Sequence, residues 1–391
     1  MQLKTQLEIG KKVLKALIDH GHLAYFVGGF VRDFLLEMES NDIDITTSAL
    51  PEETMNLFEK TRPTGLKYGT ITVFLEEYSF EVTTFRNDGF YLNNRHPDSV
   101  QFSTNLHDDL SRRDFTINAL AMDIDGHIVD DFNGLSDLKK GIIKAIGNPN
   151  ERFTEDALRI LRTFRFVSKC NFNIDELTID SVMTHHPLLH KISNERIIQE
   201  FSKLIHYPYY QKAFQMLAKT HVIDSIPDLS EGITFLSTHA FENMSDLHFY
   251  SLCFYLHIDC NFDNWKFSNK QKLTIQNIIN LIEVTRDDSF NELLIYSYGL
   301  ETCLVANDIN KVLNPNNDQS KYIKSVFDGL PIHKTCDLKF KGQDILELTE
   351  LKNAFEIGEI IDDLVYKIIT NELQNDYDIL KQYTMKTYFN R

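Results

Sequence analysis

Leu3, Leu7, Leu14, Leu17 and Ile18 recur at helical spacing near the start of the chain, which predicts an amphipathic first helix. Short apolar runs follow: LAYFVG (23–28), DIDIT (42–46), GTITVFL (69–75) and SFEVTTF (79–85) predict strands. LAMDIDGHIVD (120–130) predicts a further short pair, turning at Asp125-Gly126. Helical periods separate these strands over 30–37 and after Pro51-Glu52-Glu53, where the proline suits a first turn. From about residue 150 nearly every segment reads helical, with Pro, Asn and Asp breaks near 187, 207–208, 227–228 and 314–317. The pattern predicts an α+β chain: a mixed-sheet head with helices over 1–147, then an all-helical remainder. It contains no internal repeat and no low-complexity tract.

Composition narrows the class. A chain of 391 residues exceeds one ordinary core, and 42% apolar with 25% charged residues is the balance of a globular protein. No apolar run approaches the roughly 18–20 residues a membrane helix needs, and the N-terminus lacks a signal peptide's apolar block. No membrane partner and a cytoplasmic location are expected. The five cysteines are odd in number and scattered, forming neither a zinc spacing nor a disulfide framework, so reduced thiols are expected. His185-His186 reads as a helix end or loop. Net charge is 40 − 57 = −17, against indiscriminate nucleic-acid binding. Residues 1–150 carry 15 basic and 23 acidic side chains and the rest 25 and 34, so a nucleic acid would have to meet a confined basic stripe.

Candidate chemistry concentrates in the head. Residues two apart in a strand share a face, so Asp42 and Asp44 point together while Ile43 and Ile45 point into the core. Two adjacent carboxylates repel unless a cation bridges them, and oxygen donors without sulfur or imidazole suit Mg²⁺ or Mn²⁺. Two solvated strand-end aspartates are the alternative. Gly28-Gly29 follows a strand and precedes a helix, an arrangement in which bare backbone N–H groups can face phosphates, with Arg32 one turn inside. A third acid on a neighbouring strand would complete two-metal chemistry, and Glu81, between Phe80 and Val82, is the candidate. DDLSRRDFTINALAM (108–122) gathers Arg112, Arg113, Asp114 and Asn118; arginines suit phosphate, and Asp and Asn suit ribose hydroxyls.

RFTEDALRILRTFRF (152–166) predicts a helix capped at Thr154. On it Asp156, Arg159, Arg162 and Arg165 recur every three residues, sweeping about half the circumference as a surface that wraps an anionic ligand. Asp156 with Arg159 could read a base. Cytosine and adenine each offer an amino donor beside a ring-nitrogen acceptor, which a carboxylate and a guanidinium match. Uracil and guanine would set a carbonyl against the carboxylate and be rejected.

VGGFVRD (27–33), NDIDIT (41–46), RHPDSVQF (95–102), DLSRRDFTINALAM (109–122) and EDALRILRTFRF (155–166) together resemble the class II tRNA nucleotidyltransferases, the CCA-adding enzymes of the polymerase β-like superfamily. GLPIHKTCDLKFKGQDIL (329–346) looks like the family's later body-tail element. The resemblance implies a nucleotidyltransferase head over 1–147, a neck over 148–210 that recognises the base, and a body and tail over 211–391 that bind tRNA. It implies Mg²⁺ at Asp42 and Asp44, triphosphate contacts from Gly29 and Arg32, and CTP or ATP binding by Arg113, Asp156, Arg159, Arg162 and Arg165. The expected reaction adds C, C and A to the tRNA 3′ end. The partners are then tRNA, CTP and ATP, and a homodimer is open.

Two rivals stand beside this reading: an A-adding or poly(A)-adding relative, and a catalytically silent tRNA-binding protein. The intact Glu155-Asp156 and Arg159 resemble the CCA-adding type. The loop RNDGFYLNNRHPD (86–98) resembles the full-length loop that A-only relatives tend to lack, with Asn93 where the family usually has aspartate. Lys334, Lys339 and Lys341 suit either a tRNA footprint or an exposed charged turn.

Overall fold

The computed structural model describes residues 2–39, 42–88, 91–92, 96–97, 100–257, 264–348 and 354–389. Asn93 and most of the 89–99 loop lie outside them. The chain forms two compact units, residues 1–238 and 239–391.

The first unit opens with helix α1 (Gln2–Asp19) and strand β1 (Ala24–Val27), then α2 (Gly29–Leu35), β2 (Asp44–Thr47) and α3 (Pro51–Leu57). Strands β3 (Thr61–Gly65), β4 (Thr70–Leu75) and β5 (Tyr78–Thr84) follow. Two small pairs, β6 (Arg86–Asp88) with β9 (Val100–Phe102) and β7 (Tyr91–Leu92) with β8 (His96–Pro97), precede α4 (Leu106–Ser111). The hairpin β10 (Ala121–Met122) and β11 (Ile128–Val129) leads to α5 (Gly134–Lys140).

Among the described residues seven strands make one mixed sheet, in the order β11-β10-β1-β2-β5-β4-β3. Only the β2–β5 pair of that sheet is parallel, and it sets Asp44 beside Glu81. Val13, Leu14 and Leu17 of α1 are fully buried against Phe26 and Phe80 of the sheet. Gly10 permits that approach: a Cβ there would lie 2.9 Å from the Phe26 ring. Ile18, expected on the same apolar face, is instead exposed.

Strand β3 carries no alternating apolar signal because it is a largely exposed edge. Its Pro63 falls where the register with β4 shifts, as a residue without a ladder donor must.

The predicted helix through 154–166 is two helices, α6 (Pro149–Glu155) and α7 (Leu158–Cys170). Asn148, not Thr154, caps α6: its side chain accepts from Asn150 N at 3.0 Å, while the Thr154 hydroxyl bonds back to Asn150 O at 2.9 Å. The break is at Asp156, whose backbone is extended (φ −142°, ψ 102°) and whose Oδ1 accepts from Leu158 N at 3.1 Å. A short parallel pair, β12 (Ile142–Ile143) with β13 (Asn173–Ile174), ties the start of this region to the chain beyond α7. Helices α8 (Glu176–His185), α9 (Asn194–Ile205), α10 (Tyr210–Lys219) and α11 (Pro227–Leu236) complete the unit. His185 ends α8.

The second unit is helical among its described residues: α12 (Asp246–Leu256), α13 (Asn269–Thr285), α14 (Glu292–Tyr298), α15 (Leu300–Leu313), α16 (Ser320–Gly329), α17 (Gly342–Leu348), α18 (Ala354–Ile369) and α19 (Tyr377–Phe389). The aromatic stretch after residue 248 is core: Phe249, Tyr250 and Phe254 are buried, and Tyr250 and Phe254 pack on Trp265 and Phe267. In the 329–346 segment Leu330, Ile332, Leu338 and Phe340 are buried while Lys334, Lys339 and Lys341 are exposed. No helix of the described residues is long and apolar enough to cross a membrane.

Candidate active site

Strand pairing brings the paired acids to the glycine bend. Asp44 is the first residue of β2 and stands opposite Val27 of β1, immediately before Gly28. Gly28 has φ +69°, a conformation open to glycine, and a Cβ there would lie 2.7 Å from Arg113 Nη1 and 3.8 Å from Asp44 Oδ2. Ile43 and Ile45 are buried. Asp42 is exposed ahead of the strand, and Glu81 is exposed on β5.

Gly28, Gly29, Arg32, Asp44, Arg113, Asp114 and Asn118 line one cleft of about 520 Å³ together with Asp156, Arg159, Arg162 and Arg165. Asp42 and Glu81 do not line it; they act on it through Asp44. Burial, then the neighbouring carboxylates of Glu81 and Asp42, push Asp44 up to about 6, against the opposing pull of Arg113.

The arginines are not a bare cationic sweep. Each has a carboxylate partner, because a buried guanidinium without one is costly. Arg32 pairs with Asp33 at 2.7 Å and donates to Asn118 Oδ1 at 2.6 Å. Asn118 in turn donates to Asp114 Oδ1 at 3.0 Å, and Arg162 Nε donates to Asp114 Oδ2 at 2.7 Å. Burial alone would raise Asp114, but Arg162 and the hydrogen bonds from Asn118 and Arg162 hold it down at about 2. Arg113 pairs with Asp109 at 3.1 Å, Arg159 with Glu155 at 2.6 Å and Arg165 with Glu200 at 3.1 Å. The Nε atom of Arg113 is buried without a hydrogen-bond partner. Phe166 packs under three of these cations: Arg32, Arg162 and Arg165 lie 4.9, 5.7 and 4.8 Å from its ring centre.

Asp114 and Asn118, expected to meet ribose, line the cleft and are also bonded to Arg162 and Arg32. Lys169, Arg196, Arg86 and Tyr207 also line the cleft and carried no role in the sequence. Lys169 extends the arginine series by one more turn of α7, and it pairs with Asp33 at 2.7 Å. Arg196 comes from α9, 40 residues beyond Asp156 in sequence, and only the fold brings the two together.

Among the described residues, the acid and imidazole groups that converge within 4.8 Å are Asp123, Asp125 and His127, on the exposed β10–β11 turn; Asp42, Asp44 and Glu81 do not converge so closely. Asp123 there is occupied by the turn itself, accepting from the backbone N–H groups of Asp125 and His127 at 2.9 and 2.8 Å. Asp44 and its neighbours Asp42 and Glu81 offer oxygen donors only, the chemistry a hard divalent cation takes, and burial with the neighbouring charges raises Asp44.

Three family descriptions match in order along the chain. "Poly A polymerase head domain" covers residues 24–144, "Probable RNA and SrmB- binding site of polymerase A" 171–233, and "tRNA nucleotidyltransferase domain 2 putative" 249–384. The chain is 38% identical to the CCA-adding enzyme of Lactobacillus helveticus over 380 residues, 95% of each chain. It is 33% identical to that of Streptococcus pyogenes over 393 residues, 98% of each. Its fold matches the crystal structure of the Bacillus stearothermophilus CCA-adding enzyme in complex with CTP, with a TM-score of 0.84, 30% identity, and 98% and 99% of the two chains covered. The chain belongs to the class II tRNA nucleotidyltransferases, the CCA-adding enzymes.

Proposed function

We propose that this cleft transfers CMP, CMP and AMP in turn from CTP and ATP to the 3′ end of tRNA, with the protein's own side chains choosing the base. The observation that carries the reading is that the acid end and the base-reading end open onto one volume: Asp44 and the Asp156–Arg159 pair line the same cleft. Asp44 in the cleft and Asp42 beside it would hold the cation, magnesium or manganese by their donor chemistry. When bound, it would favour ionisation of the attacking hydroxyl and neutralise charge on the departing pyrophosphate.

The remaining work falls to the chain. Gly28 and Gly29 let the triphosphate approach the backbone, and Arg32 and Arg113 hold its oxygens. Arg162 and Arg165, seated on Phe166, carry further charge towards the same ligand. The tRNA 3′-oxygen forms a bond to the α-phosphorus as the bond to the β-phosphate bridge oxygen breaks, with no separate general base. Asp156 accepts from the amino group of cytosine or adenine while Arg159 donates to the adjacent ring nitrogen. Glu81 stays outside the cleft and raises the negative charge that draws a cation to Asp44. Work on tRNA suits a cytoplasmic protein.

Incubating the protein with tRNA lacking its CCA end, with CTP, ATP or both, tests the reading. CTP alone should add two residues, and both nucleotides together should complete CCA. Incorporation from ATP only, even onto a tRNA ending in CC, would overturn it in favour of an A-adding relative. Undiminished incorporation by Asp42→Ala would remove the cation site from Asp42 and Asp44.

A further inference from the structure

We infer that Arg196 is the positioning residue that makes Asp156 a base reader. The inference rests on the base-reading role proposed above for Asp156 and Arg159. Arg196, on α9, forks onto both carboxylate oxygens of Asp156: Nη1 to Oδ1 at 3.2 Å and Nη2 to Oδ2 at 2.9 Å. Both side chains line the cleft and are mostly buried, 16% and 17% exposed.

The need for such a clamp follows from where Asp156 sits. It occupies the break between α6 and α7, where its backbone is tied in by Asp156 N to Arg152 O at 3.3 Å and Arg159 N to Asp156 O at 3.0 Å, bonds that leave the side chain to be placed by its own partners; besides the fork, Leu158 N donates to Oδ1 at 3.1 Å. Arg159 is held separately, by Glu155 Oε2 at 2.6 Å and by the Arg152 carbonyl at 3.0 Å. The two side chains therefore have different side-chain partners, and that of Asp156 is Arg196.

A two-point guanidinium fork fixes the plane of a carboxylate, which a single-point ammonium does not. Each carboxylate oxygen has two lone-pair directions, so one bonded to the fork can still accept from a base amino group. With the plane fixed, a uracil or guanine carbonyl meets an acceptor that cannot rotate away, and that mismatch is what rejects it. Without the fork the carboxylate can turn aside and admit water, so the penalty falls while cytosine and adenine still bind. Arg196 thus contributes more to discrimination than to affinity.

The test compares kcat/KM for CTP, ATP, UTP and GTP in Arg196→Met, Arg196→Lys, Asp156→Ala and the double variant Asp156→Ala/Arg196→Met, on tRNA lacking the matching 3′ residues. Arg196→Met should lower the CTP-over-UTP and ATP-over-GTP ratios about tenfold or more. Arg196→Lys, which keeps the charge but not the fork, should recover part of the loss. The double variant should discriminate no worse than Asp156→Ala, since Arg196 acts through Asp156. If Asp156→Ala loses discrimination while both Arg196 variants retain the wild-type ratios, the inference is overturned. A double variant much worse than Asp156→Ala overturns it equally, by showing that Arg196 meets the base itself. Wild-type discrimination by Asp156→Ala would be a different failure, that of the base-reading proposal. Should Arg196→Met not fold, the Lys variant alone decides, and unchanged ratios there count against the inference.

Discussion

Asp44 is held in a state that works against folding. Its carboxyl is raised from 3.8 to about 6, so the folded protein holds the proton to higher pH than the unfolded chain does. Its contribution to stability is full below about pH 4 and is lost as pH rises through 6. A shift of about two units at 1.36 kcal/mol each makes the ionised group a burden of roughly 3 kcal/mol at most near neutrality. Asp44→Asn should therefore raise the melting temperature of the metal-free protein at pH 7.5, leave it nearly unchanged at pH 4, and abolish nucleotide incorporation. Added magnesium should raise the melting temperature of the wild type and not of the variant. Thermal melts at the two pH values, with and without magnesium, check the stability statements, and an incorporation assay checks the loss of activity. A variant no more stable than wild type at pH 7.5 would contradict the electrostatic account of the site.

At the scale of elements, α6 and α7 separate stability from selectivity. Asn148 caps α6, and Asn148→Ala should cost about 1 kcal/mol, lowering the melting temperature by about 2–4 °C. Base discrimination should stay put, because Asp156 is held by Arg196 and Leu158 and not by the cap; the melting curve and the CTP/UTP ratio check the two halves. The same region marks the limit of what the sequence revealed. Strands with an apolar face were legible: Ile43 and Ile45, or Phe80 and Val82, alternate as a half-buried surface requires. The edge strand Thr61–Gly65 was not, since it buries little and contains a proline. The series at 156, 159, 162 and 165 was visible, but its break at Asp156 was not, because a period of three reads as one helix. Two of the acids that partner the arginines were also hidden. Glu200 and Asp109 look like ordinary surface charges in the sequence, yet both are buried.

Over the whole molecule, a net charge of −17 sets the terms on which tRNA is met. Exposed Lys334, Lys339 and Lys341 flank buried Leu338 and Phe340, so the segment offers cations on a fixed base. Replacing the three lysines with alanine should raise KM for tRNA and leave KM for CTP unchanged. It should also flatten the salt dependence of tRNA binding, by about 0.7–0.9 in slope for each phosphate no longer neutralised. Binding isotherms across a salt series measure this, and an unchanged slope would assign the lysines to solvent alone. The paired arginines of the cleft have a last consequence. In the proposed role, a guanidinium already beside a carboxylate shares its charge with a phosphate, so the grip on each nucleotide is weaker than the number of cations suggests. Asp33, Asp109 and Glu200 would then compete with pyrophosphate for the same arginines and favour its release. An enzyme that must load, discharge and reload three times on one tRNA end gains turnover from this built-in competition.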